Sequence, residues 1–466
     1  MSVLPVFRIA CRIAPFLAIA TLSSFCALAA AENLSPEQEA ALRGIARGET
    51  IVWPGLSPEQ VSAIEAKAEV YFERYQRRHI PHGLNVDLVW ADRDRSALEQ
   101  YTGLGDSAEW TGHYLAALAF RHYVEPTPST YDAIMDTLDT FDLLTLVSGR
   151  DGYIARYAGP ADDPYYARYY RNYYRRARIH RLFLGREKKA YRGEAPYDDL
   201  VWLGDSSRDV YDGIHFGLAA LWVFVDDAEV RARVKTIVQR VGRRLQRDCF
   251  LILDGKGNFS IQSLRSSPAW PLLMISVCPD DFSAARVKYR LCSSLYRFWG
   301  RLWGPGIRPE HERKYYPNNL NMIRLFTLCM LEECPRRKAA YQDILRNAYR
   351  DEISTHLNAF FAAIYLLCTG DDDPQAIATV QGGLLDFPQD KWDRHVDLRG
   401  EVEMLDADYA RYSLLPSERP PRDFLWQRPA ALAHGGSDAP REYPGIDMFL
   451  PYWMARVANV FPDEGL

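Results

Sequence analysis

The sequence has no excess of positive charge and none of the short motifs that identify the commonest enzyme classes. Lys and Arg number 56 against 61 Asp and Glu, so the formal net charge is −5. Nucleic acids and anionic membranes attract proteins largely through basic residues, and this balance gives the chain as a whole no such attraction. No phosphate-binding loop, GxSxG or HExxH motif is present. Any basic surface must therefore be local, and we expect no nucleic-acid partner.

Cysteine spacing gives no sign of a metal site either. Two of the eight cysteines, Cys11 and Cys26, lie in an apolar N-terminal segment, and the others have no CxxC spacing. Several occupy apolar stretches, where a cysteine usually packs as a small hydrophobic side chain. We expect no metal and no cofactor. The sequence leaves open the disulfide state of the remaining six, which are Cys249, Cys278, Cys292, Cys329, Cys334 and Cys368.

Long hydrophobic runs are absent except at the N-terminus. Arg8 and Arg12 precede an apolar run over 13–31, which ends in small residues suited to cleavage. This arrangement is typical of a signal peptide, and it predicts that 1–31 is removed and that the mature protein, 32–466, is periplasmic or secreted. The run is also close to the shortest length that spans a bilayer, so an uncleaved anchor is the alternative. After signal cleavage we expect no stable membrane insertion.

Apolar residues recur at intervals of three and four along the rest of the chain, while convincing two-residue alternation is scarce. The sequence therefore predicts a mainly α fold in one domain over 32–466. An aromatic-rich insertion is expected at about 158–200, and an irregular C-terminal segment at about 386–466 is expected to wrap back onto the helices. The predicted helices are 58–79, 107–124, 129–148, 206–225, 228–249, 282–299, 318–334, 337–350, 355–368 and 373–385.

Two segments of the chain match each other. The segments "GDSAEWTGHYLAALAF" (105–120) and "GDSSRDVYDGIHFGLAAL" (204–221) both begin with GDS, and two glycines coincide after a two-residue offset. Each is followed by a second predicted helix and a glycine-containing turn. Small residues would let these helices approach their neighbours closely, although each helical Gly costs up to ~1 kcal/mol relative to Ala. The residues concerned are Gly112, Ala116, Gly213 and Gly217.

The helices "EWTGHYLAALAFRH" and "SRDVYDGIHFGLAAL", with the recurring helix pairs, resemble the six-hairpin, (α/α)6-toroid superfamily of carbohydrate-active enzymes. That superfamily contains glycoside hydrolases and related polysaccharide lyases. The resemblance extends over nearly all of the mature chain but includes no complete catalytic signature of a single family. It implies a toroid of helical hairpins whose inner helices begin around a common mouth, and it implies an oligosaccharide or polysaccharide substrate.

Glycoside hydrolysis needs two carboxyl groups on opposite sides of the scissile bond. We rank Asp209 first, with Glu109 or Asp212 in the second role, because these residues lie at the starts of the two matched helices. Asp209 and Asp212 also share a helix face. Each has a structural alternative: Asp106 and Glu109 fit a capping box, an arginine such as Arg208 would pair with Asp209, and Asp212 would pair with a neighbouring hairpin.

Other polar and aromatic residues near the predicted helix starts are candidates for substrate binding. Aromatic rings suit the apolar faces of sugars, amides and imidazoles bind hydroxyl groups, and an arginine can bind a sugar carboxylate. Each candidate also has a structural interpretation as a packing residue, a cap or an ion-pair partner. The candidates are Trp110, His113, Arg156, Arg208, Tyr211, His215, Asn319, Asn321, His356 and Asn358, with Trp392 or His395 supplied to the rim by the C-terminal segment.

The insertion contains the stretch "YYARYYRNYYRRARIHR" (165–181), in which tyrosine doublets alternate with arginines. On a helix the tyrosines would occupy one half and the arginines the other, which predicts an amphipathic helix at the rim of the mouth. The tyrosines would then either pack against the other helices or contact sugar. The acidic balance disfavours a nucleic-acid surface, and the preference for tyrosine over Leu, Phe and Trp disfavours a membrane surface.

These patterns leave three functions open. The first is an exported glycan-degrading hydrolase that uses two carboxylates. The second is a lyase that acts on uronate-containing glycans, with a Tyr or His base such as His113 or His215 and an Asn or Arg that neutralises the uronate. The third is a non-catalytic glycan-binding or scaffold protein whose acidic residues are only caps and ion-pair partners.

Overall fold

The computed structural model describes residues 33–166, 190–258, 262–421 and 424–461, and this part of the chain is mainly helical. The predicted mainly α fold is therefore confirmed. The predicted signal peptide, 1–31, lies outside the described residues, as does most of the tyrosine-arginine stretch. No helix within the described ranges has the length and apolarity that crossing a membrane requires.

The connections between consecutive helices differ widely in length, and the segments that precede Ser107, Arg208 and Ile446 are long. In chain order the helices are α1 (Pro36–Ala46), α2 (Pro58–Arg74), α3 (Ser107–Val124), α4 (Pro128–Leu146), α5 (Arg208–Phe224), α6 (Ala228–Arg247), α7 (Ala269–Val277), α8 (Ser283–Trp303), α9 (Pro317–Leu331), α10 (Pro335–Ala348), α11 (Ala359–Thr369), α12 (Pro374–Leu385) and α13 (Ile446–Val457). A π-helical turn, Tyr75–His79, continues α2, and another, Tyr349–Ile353, continues α10.

The ten helices predicted from 58–79 to 373–385 are all present, with ends that differ by a few residues, whereas the helix predicted over 165–181 lies almost entirely outside the described residues. Three helices were not predicted: α1, α7 and α13. The reason is clearest for α7 and α13, because both are buried on nearly all sides and each contains a proline, Pro271 in α7 and Pro451 in α13. A helix that is apolar all round shows no amphipathic period, so periodicity alone does not reveal it.

The closest helix contact joins α3 to α5 through the glycines that the internal match singled out. A Cβ added to Gly112 would collide with the carbonyl of Gly213 and lie 2.8 Å from the Ile214 nitrogen. A Cβ added to Gly213 would lie 2.6 Å from the Glu109 Cα, and one on Gly217 would lie 2.5 Å from the Gly112 oxygen. The expectation that these small residues permit a close approach of neighbouring helices is confirmed. The approach also fixes the relative position of the two helix starts.

The other helices pack in a regular pairwise order. Helix α3 also contacts α13, α5 contacts α7 and α9, and α11 contacts both α9 and α13. Each of these is backed by the helix that follows it: α4 lies on α3, α6 on α5, α8 on α7, α10 on α9 and α12 on α11, while α2 lies on α13. The buried core is continuous through these contacts.

Short strands surround the starts of α3 and α5. Strand β1 (Asp87–Trp90) pairs antiparallel with β2 (Leu98–Thr102). Strands β3 (Tyr157–Pro160), β4 (Ala190–Arg192) and β5 (Leu200–Leu203) form an antiparallel sheet, so both ends of the aromatic-rich insertion are held together.

The C-terminal segment returns to the same end of the molecule. Strand β6 (Val396–Asp397) pairs with β7 (His434–Gly435), and β8 (Arg441–Glu442) pairs with β1. The β1–β8 pairing places residues just before α13 beside the residues just before α3. Sequence positions more than three hundred apart are thus brought to the start of α3.

Candidate functional site

The starts of α3 and α5 bring three carboxyl groups together. Asp106 precedes α3, Glu109 lies in the first turn of α3, and Asp209 lies in the first turn of α5. One oxygen from each of these residues lies within 4.8 Å of the other two. Because Gly112 and Gly213 hold the two helices in contact one turn further on, the cluster follows directly from the packing of α3 on α5.

The capping-box interpretation of Asp106 and Glu109 is wrong. Asp106 occupies the N-cap position of α3, but its side chain accepts no hydrogen bond from the first turn. Neither carboxyl oxygen of Glu109 has a hydrogen-bond partner among the described residues. Asp106 instead forms an ion pair with Arg156, at 3.2 Å. Glu109 is therefore a polar group that the helix itself does not use.

Glu109 is held in conditions that favour its neutral acid. The side chain is completely buried, and burial raises its pKa well above the ordinary value, with further contributions from the charges of Asp209, Asp106 and Asp212. Arg156 opposes this shift only in part. A buried carboxyl group without hydrogen bonds is costly to ionise. Glu109 therefore holds a proton that an exposed carboxyl group would release.

Asp209 is more accessible than Glu109. Burial is the main cause that raises its pKa, and the charge of Asp106 is the next. The sequence suggested that Arg208 or another arginine forms an ion pair with Asp209. Among the described residues, no Lys or Arg lies within ion-pair distance of Asp209, and the Arg208 side chain is exposed. Asp209 is thus a carboxyl group with a raised pKa at the edge of open space.

That open space is a cavity of about 310 Å³. Three carboxyl groups line it, those of Asp87, Asp106 and Asp209. Aromatic and basic side chains complete its wall: Trp110 stacks on Phe424 with ring centroids 4.6 Å apart. The remaining lining includes Tyr316, Arg313, Gln427 and Arg428. A concave site with flat rings and a few converging polar groups is the usual form of a small-molecule site.

Asp87 is a member of the cavity that sequence reasoning missed. It begins β1, and burial raises its pKa to about 7. Gly103 makes room for it, since a Cβ there would lie 2.7 Å from the Asp87 Oδ2, and Gly103 has a φ of +77° that suits glycine. The one available signal was an aspartate at the head of an otherwise apolar strand, "DLVW". A carboxyl group with a pKa near 7 can both donate and accept a proton at neutral pH.

Arg156 holds the two helix starts in register. It is buried, its Nε donates to the Asp205 carbonyl at 2.8 Å, and its Nη1 donates to the Gly105 carbonyl and lies beside Asp106. The two carbonyls belong to the two GDS turns that the internal match identified. This side chain therefore acts on the geometry of the carboxyl cluster, and it does not line the cavity.

Asp212 lies one turn deeper than Asp209 and faces a different partner. Its Oδ2 accepts a hydrogen bond from Arg324 on α9, and its Oδ1 lies 4.0 Å from the Nε2 of His215. Burial lowers the pKa of His215 to about 3, so this imidazole is neutral. Both Asp212 and His215 are completely buried, and neither lines the cavity. The sequence left two interpretations of Asp212, a catalytic carboxyl group or a partner for a neighbouring hairpin. The ion pair with Arg324 on α9 agrees with the second.

The remaining sequence candidates divide between the cavity and the interior. Trp110 lines the cavity. His113 lies beneath it, where its Nδ1 contacts the Glu109 carbonyl at 3.0 Å and burial lowers its pKa to about 4, while its Nε2 faces Asn319. Tyr211 is buried, and its hydroxyl accepts a hydrogen bond from the Ile154 nitrogen.

The candidates on α9 and before α11 make structural contacts. Asn358 caps α11 by accepting a hydrogen bond from the Phe361 nitrogen at 3.2 Å. His356 lies between the Tyr315 hydroxyl, at 3.0 Å, and Glu310, at 3.1 Å. Asn321 donates to the Gly306 carbonyl. None of these three candidates lines the cavity.

The oxygens of Asp106, Glu109 and Asp209 are close enough to share a metal ion, and a second group of potential metal ligands lies on the C-terminal segment. His395 directly precedes β6, Asp397 lies in β6, and His434 of β7 is the register partner of Asp397. Both oxygens of Asp397 are already engaged by Arg399, at 2.8 and 2.6 Å. The carboxylate is thus neutralised by an arginine that follows two residues later. His395 does not reach the cavity, and neither does Trp392, on which Arg95 stacks.

No family model, curated protein sequence or solved structure gives a significant match to this chain. The assignment of a function therefore depends on the geometry of the site.

Proposed function

We propose that this protein is an exported glycan-degrading hydrolase with the architecture of an (α/α)6 toroid. The pairwise packing supports the architecture, because the contacts of α3, α5, α7, α9, α11 and α13 form a closed cycle and each of the six is backed by another helix. Export rests on the N-terminal sequence, where basic residues precede an apolar run. The substrate is proposed to be an oligosaccharide or a polysaccharide.

One observation carries the hydrolase proposal. Glu109 is completely buried, both of its carboxyl oxygens lack hydrogen-bond partners in the described part of the chain, and it lies against Asp106 and Asp209. Burying an unpaired carboxyl group costs free energy, so Glu109 destabilises the fold. A role in catalysis would explain why this group is there. Perturbed carboxyl groups that meet in a cleft are typical of acid-base sites. A scaffold whose acidic residues are only caps and ion-pair partners has no use for this arrangement.

The three carboxyl groups suit different roles. Asp209 faces the cavity and is the residue that we propose to act directly on the glycosidic bond. Glu109 lies behind it, and its proton allows Asp209 to change charge without leaving two adjacent anions. Asp87, with a pKa of about 7, is the second cavity-facing acid and suits protonation of the leaving group.

The lining of the cavity suits a single sugar ring. Trp110 and Tyr316 offer flat rings for the apolar face of a sugar. A cavity of about 310 Å³ is at the lower end of the range for ligand sites, so it suits a terminal sugar unit better than the interior of a long chain.

A lyase is the second candidate, and one observation favours it. Tyr316, Arg313 and Arg428 line the same cavity. A tyrosine base and an arginine that neutralises a uronate are the groups such an elimination needs. The imidazoles of His113 and His215 do not line the cavity, so the base would be Tyr316.

The two reactions differ in their products. The mature protein would be incubated with a panel of neutral and acidic oligosaccharides and polysaccharides, and both new reducing ends and new ultraviolet absorbance would be recorded. Hydrolysis gives reducing ends without absorbance, whereas elimination also gives an unsaturated product that absorbs. The variants are Asp209→Asn, Glu109→Gln and Tyr316→Phe, with the exposed Asp94→Asn as a matched control.

We expect reducing ends without absorbance, a loss of at least a hundredfold in rate in Asp209→Asn, and an unchanged rate in Asp94→Asn. Absorbance that disappears in Tyr316→Phe and persists in Asp209→Asn would replace the hydrolase with the lyase. Equal rates in Asp209→Asn and Asp94→Asn would remove Asp209 from the reaction.

A further inference from the structure

Helix α8 presents an apolar face to solvent. Six of the eleven large apolar side chains that are exposed within the described ranges lie on this one helix. Two of them are adjacent in sequence and the others follow at intervals of three or four, so the six share about one third of the helix circumference. A contiguous exposed patch of this kind marks an interaction surface, whereas single exposed apolar residues do not. The six residues are Val287, Leu291, Leu295, Phe298, Trp299 and Leu302.

The opposite side of α8 is firmly packed. Tyr289 is buried and donates a hydrogen bond to Glu332, and its hydroxyl also lies 3.1 Å from that of Tyr341. The Tyr341 hydroxyl in turn donates to the Ser293 Oγ at 2.6 Å. The helix is thus fixed to α9 and α10 through buried polar contacts. Its exposed face is a defined surface and not the result of loose packing.

One edge of the exposed face is basic. The helix contains five Arg and Lys residues and no Asp or Glu. Four of them, Arg286, Arg290, Arg297 and Arg301, lie along the edge that borders the apolar face. Within the described part of the chain none of the four forms an ion pair, and two of them only contact backbone carbonyls. The edge therefore carries uncompensated positive charge beside exposed apolar side chains.

We propose that α8 binds the surface of an anionic phospholipid bilayer. Its Phe, Trp and Leu side chains would enter the boundary between headgroups and acyl chains, and its arginines would contact lipid phosphates. Helices that lie in this interface have an apolar face with Trp, Phe and Leu, a basic polar face and low overall hydrophobicity. The net charge of −5 does not oppose this binding, because charges beyond about 8 Å are screened at physiological ionic strength.

This is attachment to a surface and not insertion, which agrees with the absence of a spanning helix among the described residues. A groove of about 1130 Å³ extends the apolar region between α8 and the body of the protein, where Phe250 and Pro268 contribute to its lining. The groove gives acyl chains room beside the helix. The inference does not depend on the proposed hydrolase activity.

A second copy of the chain fits the same face less well. In an antiparallel pair of α8 helices related by a twofold axis, the two arginine edges would lie side by side. Neither helix has an acidic residue to offset them, and like charges at an interface cost free energy. The phosphates of an anionic bilayer supply the missing negative charge.

Cosedimentation with vesicles tests the proposal. The mature protein would be mixed with vesicles that contain phosphatidylglycerol and phosphatidylcholine, and with vesicles of phosphatidylcholine alone. Arg290→Gln with Arg297→Gln is expected to weaken binding to the anionic vesicles about 30-fold, since each basic residue contributes ~1 kcal/mol at such a surface. Phe298→Ser with Trp299→Ser is expected to weaken binding more than ~10-fold through lost apolar burial.

Two matched controls separate the face from the protein as a whole. Arg77→Gln with Arg336→Gln makes the same change of charge at exposed positions elsewhere, and Val52→Ser with Leu405→Ser removes exposed apolar side chains elsewhere. Both pairs should bind like the wild type. In addition, brominated lipid should quench part of the tryptophan fluorescence, and this part should be lost in Trp299→Phe.

The proposal is overturned if the protein binds neither type of vesicle, if it binds both equally, or if the α8 variants bind as well as the controls. It is also overturned if the protein sediments as a dimer that Phe298→Ser with Trp299→Ser converts to a monomer, because a second copy would then occupy the face.

Discussion

Replacement of Gly213 by alanine tests whether the α3–α5 contact determines the site. The added Cβ would lie 2.6 Å from the Glu109 Cα and 2.8 Å from its carbonyl carbon. These are backbone atoms, so no side chain can rotate away and the two helices must separate. Overpacking of this kind costs ~1–3 kcal/mol, while the better helix propensity of alanine returns up to ~1 kcal/mol. We expect Gly213→Ala to lower the free energy of unfolding by ~2 kcal/mol.

Gly383→Ala is the matched control in α12. A Cβ at Gly383 would lie 3.4 Å from the Ala359 Cβ, which is an ordinary contact. This variant should therefore gain up to ~1 kcal/mol from propensity and from reduced freedom of the unfolded chain. Urea unfolding of the wild type and both variants, followed by circular dichroism, measures the difference. If Gly213→Ala were as stable as Gly383→Ala, the contact would not be tight and the argument that it places Glu109 would fail.

Two further changes test the electrostatics of the site. The pKa of Asp87 is raised to about 7, so the folded state binds more protons than the unfolded state, and the wild type should lose stability as pH rises from about 4 to about 7. Asp87→Asn should remove this loss, so urea titrations should show its stability relative to the wild type increasing by up to ~4 kcal/mol over that pH range. If the stabilities of both proteins depended on pH in the same way, the raised pKa of Asp87 would be contradicted. Arg324→Gln should lower the free energy of unfolding by ~3–5 kcal/mol because it leaves Asp212 buried without its cation. Adding Asp212→Asn should restore part of this loss in the same assay. If the effects of the two substitutions were purely additive, the two side chains would not be coupled.

The sequence predicted most of the helices and missed α7 and α13, which are buried on nearly all sides and each contain a proline, as well as the short helix α1. Helices α3 and α5 were recognised because GDS, the aligned glycines and the apolar bodies recur together. Helix α7 was not predicted because its sequence, "AWPLLMISV", is almost entirely apolar and contains a proline. The glycines were informative for a physical reason: a residue that costs helix propensity in a buried helix needs a close neighbour to explain it.

The carboxyl site was predicted only in part. Glu109 and Asp209 are close to each other because they occupy first turns of two helices that the sequence had already matched. Asp87 was not predicted, because it reaches the site through the pairing of β1 with β2 and β8, and a pairing across more than three hundred residues leaves no local pattern. The partner of Asp212 is likewise a long-range contact, with Arg324.

The most direct test of the central claim is a crystal structure of Asp209→Asn with an oligosaccharide that the wild type degrades. We expect a sugar ring in the cavity of about 310 Å³, against Trp110, with the scissile oxygen within hydrogen-bond reach of residue 209 or of Asp87. A sugar bound elsewhere, with the cavity empty and Asp87 and Glu109 remote from the glycosidic bond, would contradict the assignment of this site as the place where a glycan is cut.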